Sequence, residues 1–220
     1  MSDEAFIYDA VRTPRGKQRG GSLHSVKPID LISGLIDSLL ERHSDLDPKA
    51  VDDVVLGVVS PVGEQGAVIA RTAALNSGLG ESVPGTQINR FCASGLQAVA
   101  DAAARIRLGE ADVMIAAGTE SMSAMPQITG NKTSINPAVF ATEENLGIAY
   151  GMGLTAEKVA AKWKVSREDQ DAFAFVSHRR ATAAIAAGLF AKEIAPYAVK
   201  SWLPGEGGAV RVAERRVEHD

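Results

Sequence analysis

The sequence predicts an α/β protein: a mainly parallel, mixed sheet with helices on both faces, plus an inserted and mostly helical lobe. Three observations carry this. Short apolar runs alternate repeatedly with segments of helical length, the pattern of βα units joined by right-handed crossovers. The composition is 45% apolar but only 5% aromatic, so Ala, Val, Ile and Leu must do the packing, as in layered α/β proteins. The alternation stops after Gly118, and the stretch from Ser121 to Gly153, rich in Ser, Thr, Asn, Gly and Met, is too long for an ordinary connection inside a compact domain.

Taken in order, "AFIYDAVRT" reads as a strand ending at Thr13-Pro14, followed by a glycine-rich loop to Pro28. A helix capped by Asp30 follows, with Leu31, Leu35, Ile36, Leu39 and Leu40 on one face, until "HSDLDP" stops it. "VDDVVLGVV" is apolar almost throughout, as a parallel strand covered on both faces should be. A second helix spans Ala67 to Asn76, "TQINRF" is a third strand, Ser94 to Arg107 a third helix, and "VMIAAG" a fourth strand. In the lobe, "MGLTAEKVAAKWKV" is helical after Thr155. The next helix is N-capped by Ser166, has acidic residues in its first turn, and is closed by Gly188. "EIAPYAVKSWLPGEGGAVRVAERRVEHD" gives a strand, a turn at "GEGG" and a charged end. The expected division is therefore residues 1–120 as an α/β domain and 121–220 as the inserted lobe with the start of a return segment.

The bulk numbers exclude several classes. With 23 basic and 27 acidic residues the formal charge is −4, which gives no general reason to expect nucleic acid or an anionic membrane as partner. No apolar run is long enough to cross a bilayer, and the N-terminus lacks an apolar signal core. A single cysteine excludes an intrachain disulfide framework, and no metal-ligand spacing appears, so no metal is expected. A reducing, cytoplasmic setting fits these features.

That cysteine, Cys92, stands in "NRFCASGLQAVA", where a strand hands over to a small-residue helix. Two readings stay open from the residues alone. A buried thiol in an Ala-rich context is a small packing residue. An exposed one at a helix start lies beside unpaired N–H groups and the positive end of the helix dipole, which favour the nucleophilic thiolate. Ala93, Ser94 and Gly95 leave room for an acyl group and for backbone N–H groups to approach its oxygen.

"INRFCASGLQAVADAA" followed by "DVMIAAGTESMSAMP" closely resembles the thiolase family, acyltransferases that make or cleave 3-ketoacyl-CoA. "IYDAVRTPRGKQRGGSL", "GEQGAVIARTAAL" and the segment from "MGLTAEKV" to "KEIAPY" extend the resemblance over essentially the whole chain. The resemblance implies a thiolase-like fold in which Cys92 is the acyl-accepting catalytic nucleophile and its own N–H helps form an oxyanion hole. It gives Asn89 and Gly95 the shaping of the turn. Met122 and Met125 become apolar wall for the substrate, and Met152 and Gly153 the start of the loop-domain motif over the acyl and pantetheine part. Biosynthetic relatives often carry a histidine just before that methionine; here it is Gly151, which leans toward the broader-specificity 3-ketoacyl-CoA thiolases of fatty acid β-oxidation.

The resemblance further implies acyl-CoA and coenzyme A as substrates, no cofactor besides, and a homodimer or tetramer. It also implies a histidine that activates the cysteine and a second cysteine acting as acid and base, both in a C-terminal domain that these 220 residues do not contain. His24, His43, His178 and His219 read as ordinary surface residues. Two functions follow: an acyl-CoA thiolase completed by a C-terminal domain, on another chain if need be, or a non-catalytic fragment or subunit of the same fold that binds acyl-CoA or a partner. On either reading, faces that pack on the missing half should be exposed.

Overall fold

The computed structural model describes residues 4–18, 20–124, 137–142 and 151–220. Contacts divide the chain into one unit made of Met1–Gly130 and Ala191–Asp220 and a second, Asn131–Phe190. Where the sequence suggests one division at 120, the chain leaves the first unit near 130 and comes back to it at 191. The return is fixed by an isolated parallel bridge between Arg12 and Ile194 and by the hairpin described below.

The first unit is built on a parallel sheet of β1 (Asp53–Gly57), β2 (Gly85–Ile88) and β3 (Met114–Gly118), in the order β2-β1-β3. Val54 stands opposite Gly85 on one side and Ile115 on the other. Every residue of central β1 is buried, Asp53 included, as the almost wholly apolar run predicts. Its alternate side chains serve two layers. Val54, Leu56 and Val58 pack with Ile32 and Ile36 of α1 (Pro28–Arg42) and Ile69 of α2 (Ile69–Leu75). On the opposite face, Asp53 meets Arg105 of α3 (Ser94–Arg107), with 2.7 Å between Oδ2 and Nη1. Helices thus cover both faces, and parallel strands bring the ends of β1, β2 and β3 to one edge.

Glycine decides how closely helix and sheet meet. A Cβ on Gly57 would lie 2.6 Å from the carbonyl carbon and 2.8 Å from the nitrogen of the Ser94-Gly95 peptide. One on Gly85 would overlap the backbone of Ala70 and Arg71. Without these two glycines neither α3 nor α2 could start where it does.

Several expectations are corrected. "AFIYDAVRT" forms no ladder; only Arg12 bridges, and Phe6, Ile7 and Tyr8 are exposed. Extended apolar residues become a strand only when a neighbour supplies donors and acceptors. The first helix begins at Pro28 rather than at an Asp30 cap: proline's fixed φ and missing N–H suit the first helical position, and Asp30 lies in the first turn. Its inward face is Ile32, Ser33 and Ile36, while Leu31 turns toward the hairpin. The second helix is two residues shorter at its start, because Ala67 and Val68 adopt left-handed φ of 46° and 54°. The third helix spans Ser94–Arg107 as expected.

The return segment is an antiparallel hairpin of β4 (Tyr197–Pro204) and β5 (Val210–Val217), turned through Gly207 and Gly208 at φ 65° and 82°. Val199 and Val217 pack with Leu23 and Leu31, and Tyr197 lies over Gly34 of α1. That apolar contact, with Asp30 nearby, pushes the Tyr197 phenol up to about 12.

The second unit contains α4 (Met152–Trp163) and α5 (Arg167–Ala186). α4 starts three residues before Thr155, which is inside the helix with its hydroxyl 3.4 Å from the Gly151 carbonyl. α5 is capped by Ser166, whose Oγ accepts from the Asp169 N–H at 3.1 Å, and Gly188 follows it at φ 66°.

Candidate active site

The carboxyl ends of the parallel strands form the edge where open α/β sheets place their chemistry. β2 ends at Ile88, and four residues later Cys92 stands exposed, before α3 opens at Ser94. The turn between them is held by its own side chains. Asn89 Nδ2 donates to the Val59 carbonyl at 2.9 Å, tying the turn to the end of β1, while its Oδ1 accepts the Phe91 N–H at 2.8 Å. Buried Ser94 accepts the Arg90 N–H at 2.9 Å on its hydroxyl oxygen and donates that hydroxyl to the Phe91 carbonyl at 2.6 Å.

These bonds enforce an unfavourable backbone. Phe91 has φ 46°, a left-handed conformation that costs a bulky side chain on the order of 1–3 kcal/mol unless its surroundings dictate it. The result is a sharp reversal that delivers Cys92 to the outside, with Phe91 exposed beside it.

α3 has no side-chain cap at Ala93. Ser94 N–H reaches the Phe91 carbonyl and Gln97 N–H the Ala93 carbonyl. Among the described residues no acceptor meets the N–H groups of Cys92, Gly95 or Leu96 with hydrogen-bond geometry. An exposed thiol, N–H donors without a protein acceptor and the positive end of a fourteen-residue helix therefore fall within five consecutive residues, 92 to 96. Such an arrangement can stabilise an oxygen that gains negative charge when its carbon is attacked.

The other expected residues are placed as follows. Met122 lies just past β3, about half exposed, its carbonyl accepting from Gln18 Nε2 at 3.2 Å. Met125 lies outside the described residues. Met152 and Gly153 open α4 in the second unit, both exposed. His43 is engaged by Asp9, 3.0 Å from Nε2 to Oδ2, and His24 Nδ1 by the Gly21 carbonyl at 2.7 Å. Among the described residues no three His, Cys, Asp or Glu side chains converge as a metal site, and no helix is long and apolar enough to cross a membrane.

Two side chains at this edge escaped the reading of the sequence. Gln65 is completely buried, and Glu120 stands two residues past the end of β3. Gln65 Nε2 donates to Glu120 Oε1 at 2.8 Å and to the Ser60 carbonyl at 3.0 Å, while its Oε1 accepts the Ser121 N–H at 2.7 Å. The signal that could have found Glu120 is its position: an acidic residue just past the carboxyl end of a parallel strand lies at the edge where Cys92 sits.

Comparison with known proteins identifies the family. The family described as "Thiolase, N-terminal domain" matches residues 5–210. The β-ketoadipyl-CoA thiolase of Pseudomonas aeruginosa is 41% identical over 237 aligned positions, covering 100% of this chain and 56% of its own length. The 3-ketoacyl-CoA thiolase of Bacillus subtilis is 44% identical over 196 positions, 89% of this chain and 49% of its own. The crystal structure of the dimeric peroxisomal thiolase of Saccharomyces cerevisiae superposes with a TM-score of 0.80 at 31% identity, over 95% of this chain and 52% of that one. The chain spans about half the length of the curated relatives it matches.

Proposed function

The chain belongs to the thiolase family through its N-terminal domain, and on that premise we propose that it is the nucleophile-bearing part of an acyl-CoA thiolase. The observation that supports this most directly is the exposed Cys92 at the uncapped start of α3, beside N–H groups left without acceptors.

In the proposed reaction the Cys92 thiolate attacks the thioester carbonyl of an acyl-CoA or the 3-keto carbonyl of a 3-ketoacyl-CoA. A sulfur–carbon bond forms while the carbonyl oxygen takes up negative charge next to the unpaired N–H groups, the Cys92 N–H among them. Collapse of that intermediate expels coenzyme A thiolate from an acyl-CoA, or the acetyl-CoA carbanion from a 3-ketoacyl-CoA, and leaves the acyl group on sulfur. The acyl-enzyme then passes the group to coenzyme A in thiolysis or to an acetyl-CoA carbanion in condensation. Acyl exchange between two sulfurs is nearly balanced in energy, so the transfer between Cys92 and coenzyme A is readily reversed.

Activation of the thiol and proton transfer to the incoming group call for a histidine and a second cysteine. We assign these to a C-terminal domain that completes the enzyme, in a homodimer or tetramer or on a second chain. Coenzyme A enters as substrate and no cofactor is needed. Met122, Met125, Met152 and Gly153 are proposed to line the acyl and pantetheine path, and cytoplasmic β-oxidation is the setting proposed for the chain.

The test is covalent labelling. The intact 220-residue chain is incubated with acetyl-CoA or acetoacetyl-CoA at alkaline pH, where a thiol ionises without a histidine, and its tryptic peptides are weighed. The expected product is an acetyl thioester on the Cys92 peptide, absent from Cys92→Ser. Labelling that persists in Cys92→Ser overturns the assignment.

A further inference from the structure

The bonds that hold the cysteine turn begin outside it. Glu120 Oε2 accepts the N–H of Val59 at 2.9 Å and of Ser60 at 3.3 Å, while Oε1 accepts from Gln65 Nε2. Three donors from two segments thus converge on one side chain. Only an acceptor-only carboxylate can take all three, because an amide would turn its own protons toward the Gln65 amide.

Val59 is fixed at its N–H by Glu120, and its carbonyl receives the Asn89 side chain at 2.9 Å. Asn89 Oδ1 then accepts the N–H of Phe91, the residue in left-handed conformation that directly precedes Cys92. The buried anchor is Gln65, itself held by Ser60 and Ser121. A carboxylate after β3 therefore reaches the cysteine turn after β2 by way of the end of β1, each step a hydrogen bond of 2.8 to 2.9 Å.

We infer that Glu120 is a positioning residue for Cys92, acting through Val59 and Asn89 to hold Phe91 in the strained conformation that presents the sulfur beside the unpaired N–H groups at the start of α3. Its catalytic meaning rests on the acyl-transfer reading above; its structural meaning does not. Glu120 touches no reacting atom. It sets where the sulfur stands relative to the donors that receive the oxygen, a geometry acyl transfer requires and simple alkylation does not.

The test uses the full chain with Glu120→Ala, Glu120→Gln, Asn89→Ala and the double variant Glu120→Ala/Asn89→Ala. Three rates are measured: hydrogen–deuterium exchange in the peptide carrying Phe91 and Cys92, acylation of Cys92 by acetyl-CoA, and alkylation of Cys92 by iodoacetamide. Glu120→Ala and Asn89→Ala should each raise exchange in that peptide by about tenfold while the α1 peptides stay unchanged. Each should slow acylation by about tenfold or more and leave alkylation within about twofold. The double variant should be no slower than the slower single, because both break one relay. Glu120→Gln, which keeps an oxygen for the Val59 N–H, should fall between wild type and Glu120→Ala.

Exchange at the turn that is unchanged in Glu120→Ala overturns the inference, as do single effects that multiply in the double variant. Should Glu120→Ala fail to fold, Glu120→Gln and Asn89→Ala decide by the same readouts. A wild-type chain that takes no acyl group even at alkaline pH, where the thiol ionises without a histidine, would sink the acyl-transfer reading, while the exchange rates would still show whether Glu120 holds the turn.

Discussion

Replacing Gly57 by alanine would place a methyl carbon 2.6 Å from the carbonyl carbon of Ser94, 2.7 Å from its oxygen and 2.8 Å from the nitrogen of Gly95. All three atoms are backbone of the first turn of α3, so no side-chain rotation relieves the clash. Ordinary contact begins at about 3.4 Å, which requires the start of the helix to retreat by roughly 0.8 Å from the sheet. Overpacking of this kind destabilises by about 1–3 kcal/mol. The larger effect is chemical, because Cys92 lies two residues before the displaced turn, and a shift near 1 Å costs a positioned group about 100-fold in rate. Urea unfolding and the rate of Cys92 acetylation by acetyl-CoA measure the two effects separately. Ile36→Val supplies the control: it removes one methyl from the opposite layer and should lose about 0.5–1.5 kcal/mol with acetylation nearly unchanged. A Gly57→Ala chain that keeps both wild-type stability and acetylation within about twofold would refute the claim that glycine sets the helix-to-sheet distance at this site.

Two further outcomes follow from charges around the same sheet. Arg105→Ala should destabilise by about 2–3 kcal/mol in urea, because it strands the buried Asp53 carboxylate with only the Thr86 hydroxyl at 3.3 Å; adding Asp53→Asn, which removes the stranded charge, should restore most of the loss. Acid should unfold the first unit through carboxylates held below the 3.8 of a free aspartate: Asp52 by the N–H groups of Asp112 and Val113, and Asp220 by the Arg12 guanidinium. Asp9 joins them although burial pushes its carboxyl up, because the His43 hydrogen bond, the Ala10 N–H and the Arg42 charge together outweigh that push. Carboxylates depressed in the folded state stabilise it above their unfolded value, and that stability is lost as pH falls through the lower folded values. The melting temperature should therefore change little from about pH 6 to about 4.5, then fall, and fall less steeply in Asp52→Asn.

Much of the fold could be read from residues that act locally. Ser94–Arg107 is a run of strong helix formers after a turn, and it is the helix observed. Ser166 with Asp169 is a cap written in four residues, and Gly188 supplies the left-handed φ that ends a helix. The misreadings occur where the decisive partner is far along the chain or where one residue has two uses. Pro28 closes a loop or opens a helix with equal propriety, and only the helix that follows chooses. The apolar run from Phe6 to Tyr8 has the composition of a strand, but a strand is completed by its neighbour, and Arg12 alone finds one, at Ile194.

The site divides along the same line. Cys92 is conspicuous because a lone cysteine stands between a strand and a helix, a pattern confined to a dozen consecutive residues. Glu120 is 28 residues further on, and its own segment marks it only as an acid just past a strand, without saying what it holds. Its part emerges only when three parallel strands end at one edge, so that residues from Val59, Asn89 and Glu120 come within hydrogen-bond reach. Local pattern marks a candidate nucleophile because reactivity depends on what the sulfur itself is next to. What keeps a bulky residue strained beside it must come from elsewhere, since a turn that could relax on its own would do so, and the side chains that forbid relaxation have to be anchored to other strands.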